Sequence, residues 1–261
     1  MQHHHGRCDI KAIAERVLPE AVAKVAGINA QALQALGYYE ARVEPALTQD
    51  RSAWVAHYIV RSGEPVRVGS LTIDLAGDAV RDEAFADRIE KFPLAVGDRL
   101  VHARWEDGKR ALERLLADRG YFDARVVKAE VRVRQAQRSA RAVLAINSGP
   151  RYQFGEVLWP KTRLARKFLS RYVSITPGTP FNAHEMLLFQ SRLSDSNYFG
   201  SVLVEPRTDL AEDERVPLEV ELEMRPARRY SIGAGYGTDT GPRLTLGWEK
   251  RRVNRHGHRL G

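Results

Sequence analysis

The sequence predicts an α+β fold, tandem βααββ modules followed by the first strands of a transmembrane β-barrel, and three observations carry that prediction. A glycine- or asparagine-led aromatic triplet recurs at Gly37-Tyr38-Tyr39, Gly120-Tyr121-Phe122 and Asn197-Tyr198-Phe199. A second landmark recurs in the same phase: Gly63-Glu64-Pro65 precedes Val68-Gly69, and Gly149-Pro150 precedes Phe154-Gly155. After Arg228 the composition shifts to stretches in which apolar residues alternate with small or polar ones. The repeat period is about 80 residues, longer than ordinary solenoid repeats, so each unit is large enough to be a small domain.

The first unit opens with two helical stretches, near Ile10 to Val25 and Ala30 to Leu36, followed by strands near Ala41 to Leu47 and Ala53 to Val60. It lacks the strand that leads the later units. In the second unit Leu71, Ile73 and Leu75 alternate with polar residues, the mark of a half-buried strand. A helix is expected from about Asp82 to Lys91, broken by Pro93 and Gly97. Trp105, Leu112, Leu115 and Leu116 then recur at helical spacing up to Gly120, a residue suited to the left-handed turn past a helix end. Two strands complete the unit, one with Val127, Ala129, Val131 and Val133 on a single face, the other from Ala140 to Asn147.

The third unit repeats this order. Val157 and Trp159 begin a strand, a helix follows near Leu164 to Tyr172, and Pro177-Gly178 ends it. Asn182 is an expected N-cap, with Glu185 placed as in a capping box. Leu187, Leu188 and Leu193 are expected to form the buried face of that helix, and Asn197 stands where glycine stood before. Val216, Leu218, Val220, Leu222 and Met224 alternate with Pro217 and three glutamates, the clearest strand in the chain. In the tail, Tyr230, Ile232, Ala234 and Tyr236 alternate with Ser231, Gly233, Gly235 and Gly237. A turn is expected at Thr238 to Pro242, and Leu244, Leu246 and Trp248 continue the pattern. Such a ribbon fits a soluble glycine-rich hairpin or an outer-membrane hairpin, and its place after tandem modules favours the second.

Composition narrows the function classes. Hydrophobic residues make up 43% of the chain, enough for ordinary cores. No run of about 18 apolar residues is present, so no transmembrane helix is expected. The formal charge of +8 is spread among acidic residues without a long basic block before Arg251-Arg252, which reads as a solvated surface rather than a nucleic-acid site. The single cysteine, Cys8, excludes an intrachain disulfide. His3-His4-His5 with Cys8, and His256 with His258, lack the paired clusters of a metal site. Gly233, Gly235 and Gly237 are followed by no phosphate-loop lysine, and no nucleophile elbow, zinc-protease or paired-cysteine signature occurs. No catalytic, cofactor-binding or metal-binding residue is therefore assigned, no cofactor is expected, and the chain is not expected to be an enzyme. The six aromatics Tyr38, Tyr39, Tyr121, Phe122, Tyr198 and Phe199 are read as structural, closing module cores, ahead of a role in holding peptide.

At this point the chain resembles the polypeptide-transport-associated (POTRA) domains of the outer-membrane assembly factor and surface antigen superfamily, and within it the TamA-like branch of translocation and assembly module subunits. Ala35-Leu36-Gly37-Tyr38-Tyr39, Arg119-Gly120-Tyr121-Phe122-Asp123, the run Asn147 to Gly155 and the run Gly235 to Arg243 carry the resemblance. It implies POTRA module 1 at 1–65, module 2 at 66–152, module 3 at 153–227, and the first hairpin of a BamA/TamA-type barrel at 228–261. The family barrel has sixteen strands, so two strands alone would leave open edges and should not insert as a working barrel. The first module is incomplete and Met1 to His5 shows no secretory signal. Sequence is therefore expected to be missing at the N-terminus.

The resemblance implies a periplasmic client-handling and docking arm at the cell outer membrane, in autotransporter and outer-membrane protein biogenesis. Unfolded outer-membrane protein or autotransporter clients would add as strands to sheet edges. An inner-membrane-anchored, TamB-like periplasmic partner would meet the first module, lipid would be met through the barrel, and no nucleic acid is expected. The strand with Tyr230, Ile232, Ala234 and Tyr236 would be the barrel's gate strand. A docking platform that binds only a folded partner stays open as an alternative. A basic nucleic-acid-binding protein and an enzyme are the remaining, weaker classes.

Overall fold

The computed structural model describes residues 10–50, 53–162, 164–226, 228–237 and 241–250. The terminal histidines and Cys8, the centre of the expected turn at 238–240, and the basic stretch with His256 and His258 lie outside the described residues. Contacts group the chain into two compact units. One is drawn from residues up to Leu75, Glu83–Leu112 and Val126–Ile146, the other from Ala76–Asp82, Glu113–Arg125 and Asn147 onward.

The first repeat starts with α1 (Ile10–Ala35), one continuous helix with Pro19 inside it, where the sequence predicts two. The expected break falls at Gly27, Ile28 and Asn29. A glycine costs a helix only about 1 kcal/mol, which its neighbours outweigh. The helix closes with a two-bond cap, Tyr38 N donating to Leu33 O at 2.9 Å and Gly37 N to Gln34 O at 2.9 Å. The cap needs a left-handed residue, and Gly37 supplies it at φ 92°. β1 (Arg42–Asp50) and β2 (Ala53–Arg61) then pair antiparallel along their full length, Arg42 opposite Arg61 and Asp50 opposite Ala53. Among the described residues no third strand joins them.

The second repeat has the complete order: β3 (Arg67–Ala76), a 3₁₀ turn, α2 (Glu83–Glu90), α3 (His102–Asp118), β4 (Arg125–Arg134), a second 3₁₀ turn and β5 (Ser139–Asn147). The sheet order is β3-β5-β4. The central strand β5 buries Ala140, Ala142, Leu144 and Ile146 on one face, as strict alternation requires. Phe85, Phe92, Trp105 and Leu112 are buried as well. The Phe92 and Trp105 rings meet edge-on at 5.9 Å. Any side chain at Gly108 would strike the Phe92 ring, so the glycine lets that ring lie against α3. Of the expected face of β4, Val131 and Val133 are half-buried, while Val127 and Ala129 are exposed. The expected four-residue face therefore holds for its C-terminal half alone.

The third repeat runs β6 (Gln153–Leu158), α4 (Arg166–Leu169) with a following 3₁₀ turn to Tyr172, α5 (Ala183–Asp195), β7 (Phe199–Pro206) and β8 (Arg215–Met224). Trp159 falls just past β6 rather than within it. In the order β6-β8-β7, β6 lies parallel and β7 antiparallel to the central β8. Pro217 sits along β8, where its missing N–H removes a ladder bond. The register of β6 shifts opposite it, between Phe154 and Val157. Gly155 fills that bulge because a Cβ there would lie 2.9 Å from the Pro217 nitrogen. Asn182 caps α5, its side chain accepting from His184 N at 2.9 Å. The buried residues of α5 are Phe189 and Leu193, whereas Leu187 and Leu188 are exposed. The helix turns the bulkier Phe189 to the core, and 186, 189 and 193 follow its 3.6-residue period. β9 (Arg228–Gly237) and β10 (Gly241–Lys250) form the final antiparallel ribbon. No helix among the described residues is long and apolar enough to cross a membrane, which says nothing of strands.

Candidate functional site

The aromatic triplets mark the ends of three helices, with φ of 92° at Gly37, 85° at Gly120 and 64° at Asn197. After the first two, the triplet glycine receives the start of the next repeat. Val66 N donates to Gly37 O at 2.8 Å, and in the equivalent place Tyr152 N donates to Gly120 O at 2.9 Å. A Cβ on Gly37 would lie 2.4 Å from Leu100 O, and one on Gly120 would lie 2.6 Å from the Cβ of Phe181. Each glycine is thus needed both for its conformation and for the close approach of the neighbouring segment.

The side chains at the two joints differ. Tyr38 and Tyr39 are half-buried. Tyr38 OH accepts from Arg99 at 2.9 Å, and that guanidinium lies 5.4 Å from the ring centre. Tyr39 OH and His102 Nε2 are hydrogen-bonded at 2.6 Å, and burial pushes the Tyr39 hydroxyl pKa up. Arg138 adds ion pairs to Glu40, at 3.5 Å, and to Glu64. At the second joint Tyr121 is buried. Phe122, half-buried, lies edge-on to Tyr152 at 5.5 Å and to Phe181 at 4.9 Å and packs against the core of the third repeat. The Asp82 carboxylate, 7% exposed, accepts from Arg119 at 2.5 Å and from Tyr121 OH at 3.2 Å, with Arg151 at 3.6 Å. Arg151 also donates to Arg119 O at 3.0 Å. Burial, and then the Asp82 charge, hold the Tyr121 hydroxyl pKa above its ordinary value. Tyr198 and Phe199 are buried, and Tyr198 O accepts from Arg225 N at 2.9 Å where the chain leaves the third repeat. Of these partners the sequence analysis singled out the glycines and aromatics, with Arg119 and Arg151 inside the runs that carry the resemblance. Asp82, Arg99 and Phe181 gave no signal beyond standing near breakers.

The sheet edges are treated unequally. In the second repeat the segment before α3 runs along β3: Val68 N donates to Asp98 O, and Gly97 N to Val68 O, both at 2.8 Å. In the third, Phe154 N donates to Thr179 O at 2.9 Å and Gly178 N to Phe154 O at 2.7 Å. The leading strand of each complete sheet is therefore already paired at its N-terminal part. On β7, Val204 N is capped by the Gln190 side chain at 3.0 Å. Along the outer edge of β4 no such cover is found among the described residues, and Val127 there is 70% exposed.

The ribbon brings Tyr230, Ile232, Ala234 and Tyr236 to one face, paired with Trp248, Leu246, Leu244 and Pro242 in that order. Ile232 is 78% and Leu246 72% exposed, so this apolar face is uncovered. The opposite face carries Ser231, Gly233, Gly235, Thr245 and Gly247. Among the described residues no group of three or more His, Cys, Asp or Glu could hold a metal ion.

Two serial βααββ sheets, the second entered through the glycine-aromatic turn at Gly120, form an α+β fold. Residues 66–148 match the POTRA family, described as the surface antigen variable number repeat. The fold is similar to that of BamA from Haemophilus ducreyi lacking POTRA domains 1–3, with a TM-score of 0.60, 17% identity and 74% of this chain covered. The chain spans 36% of that structure's length. Haemophilus influenzae BamA POTRA3-5 matches at a TM-score of 0.45 and 18% identity, over 74% of this chain and 79% of that one. CdiB from Acinetobacter baumannii matches at a TM-score of 0.40 and 14% identity, over 72% of this chain and 36% of that one.

Proposed function

We propose that the chain is the periplasmic arm of an outer-membrane protein assembly or translocation factor, of TamA-like type, with POTRA modules at 1–65, 66–152 and 153–227 and a barrel hairpin at 228–261. The open edge of β4 is the observation that supports this most. Its outward backbone groups can pair with an extended client whatever the client's side chains, giving weak and broad recognition suited to handing clients on. Unfolded outer-membrane proteins or autotransporters are the clients, and docking of an inner-membrane-anchored, TamB-like partner belongs to the same reading.

The ribbon supports a place at the outer membrane. Tyr230 and Tyr236 lie about 20 Å apart along a strand rising about 3.4 Å per residue, close to the roughly 25 Å apolar belt of outer-membrane barrels with its aromatic girdles. Tyr230, Ile232, Ala234 and Tyr236 would face lipid, and β9 would present the gate edge. The proposed role is one of binding and requires no catalytic group.

Photocrosslinking tests this reading. A crosslinker at Val127 should capture unfolded outer-membrane protein well above one at Glu90 on α2. Equal, background capture at both positions would contradict it.

A further inference from the structure

The helix after the leading strand carries opposite charge in the two complete repeats. In the second repeat, residues 82–91 hold Asp82, Glu83, Asp87 and Glu90 against Arg88 and Lys91, and Lys91 is paired with Asp87. In the third, residues 161–171 hold Lys161, Arg163, Arg166, Lys167 and Arg171 and no acid. Phe168 and Leu169 are buried and fix α4 to the core, while Lys161, Arg166, Lys167 and Arg171 are exposed. Among the described residues no carboxylate pairs with any of these four. Glu156 lines a groove with Arg166, Lys167, Ser170 and Trp159, one acid against two cations. Like charges one turn apart, such as Lys167 and Arg171, weaken a helix slightly, so local stability does not favour the arrangement.

The segment stands where the chain leaves the third repeat. The Phe168 ring meets Tyr198 edge-on at 5.1 Å, and Tyr198 O accepts from Arg225 N. From Arg225 to Arg228, the first residue of β9, the chain can span at most about 11 Å. We propose that the exposed face of α4 is a membrane-docking surface, on which Lys161, Arg166, Lys167 and Arg171 rest against the anionic phospholipid headgroups of the leaflet that the ribbon enters. This rests on the outer-membrane reading of the ribbon and adds the class of ligand. Lysine meets a phosphodiester as a point charge and arginine as a fork, so the set suits phosphate. Trp159 and Tyr172, both half-buried, are rings suited to a wet interface. Cations spread over a convex face select charge density rather than a peptide sequence, which favours a headgroup layer over an acidic protein. Each cation near such a surface contributes about fivefold in partition, fading within a Debye length.

Vesicle sedimentation of the full chain tests the surface. Vesicles in which about a third of the lipid is phosphatidylglycerol should bind about a hundredfold more tightly at low salt than vesicles of phosphatidylcholine alone, and salt should erase the excess. Replacing Lys161, Arg166, Lys167 and Arg171 together by glutamine should remove most of the excess. Arg88→Gln with Lys91→Gln on α2 should leave it. Unchanged amide exchange in Val216–Val220 of the fourfold variant would show an intact third repeat. With Cys8→Ser in place, a spin label at Ser170→Cys should be relaxed by a nickel-chelating lipid in anionic vesicles, and one at Glu221→Cys, on the acidic face of β8, should not. An equal excess in the fourfold variant, or stronger relaxation at Glu221 than at Ser170, would overturn the proposal. So would displacement by soluble glycerol phosphate at matched ionic strength, which marks a free-phosphate site, or tighter binding of polyglutamate or duplex DNA than of anionic vesicles. Client capture at Val127 is read separately, so its survival beside any of these results sinks this surface alone.

Discussion

The joint after α1 and the joint after α3 share one backbone plan and differ in what fills it. Both use a left-handed glycine whose carbonyl receives the next repeat's first amide. At the first, tyrosine tips reach Arg99 and His102, and exposed ion pairs do the rest. At the second, Phe122 packs against the next repeat's core and Asp82 is bonded by two arginines and a tyrosine. Exposed ion pairs contribute little, and apolar burial contributes much. The difference teaches that one repeat grammar can be filled in two ways, and on these contacts the early joint is expected to be the more compliant and the later one the stiffer.

Truncating the aromatic contact should break the contrast most. Phe181→Ala, at a fully buried ring, should cost the second joint about 3–5 kcal/mol in urea unfolding, whereas Tyr38→Ala at the first joint should cost under about 1 kcal/mol. Next comes the enclosed carboxylate. Asp82→Asn leaves two arginines under-paired and should cost about 2 kcal/mol, while Glu64→Gln should change unfolding little.

Alkali offers a smaller effect with a definite sign. Tyr121, Tyr152 and Tyr39 all hold hydroxyl pKa values above the ordinary 10.0, chiefly through burial. A raised folded pKa means that the fold favours the protonated form. This stabilisation is full below pH 10 and is lost as pH rises through the raised values. Two of the three tyrosines lie at the second joint, so amide exchange around Tyr152 should speed up above pH 10 more than exchange around Val66. Tyr121→Phe should reduce that pH dependence. Smallest of all, Arg138→Ala should loosen the first joint at low salt and have almost no effect at high salt.

The repeat was legible because its punctuation is backbone-driven: Gly37, Gly120 and Asn197 each sit where a helix must turn left-handed. The alternation of β8 was legible because a central strand buries every second residue. What failed was which face wins. Leu187 and Leu188 look like core residues until Phe189 takes the inward position. The continuity of α1 through Gly27 was likewise hidden, since local propensity is a weak guide in a long helix. The edge closures by Asp98 and Thr179 rest on backbone groups, which carry no residue signature. For the same reason the open edge of β4 could be expected only as a class of feature, not located.

Paired spin labels test the contrast between the joints most directly. With Cys8→Ser in place, one pair at Ala46→Cys and Glu90→Cys reports the first joint, and another at Asp118→Cys and Ser194→Cys reports the second. The account predicts a broad distance distribution for the first pair and a narrow one for the second. Equal widths, or a broader second distribution, would contradict it.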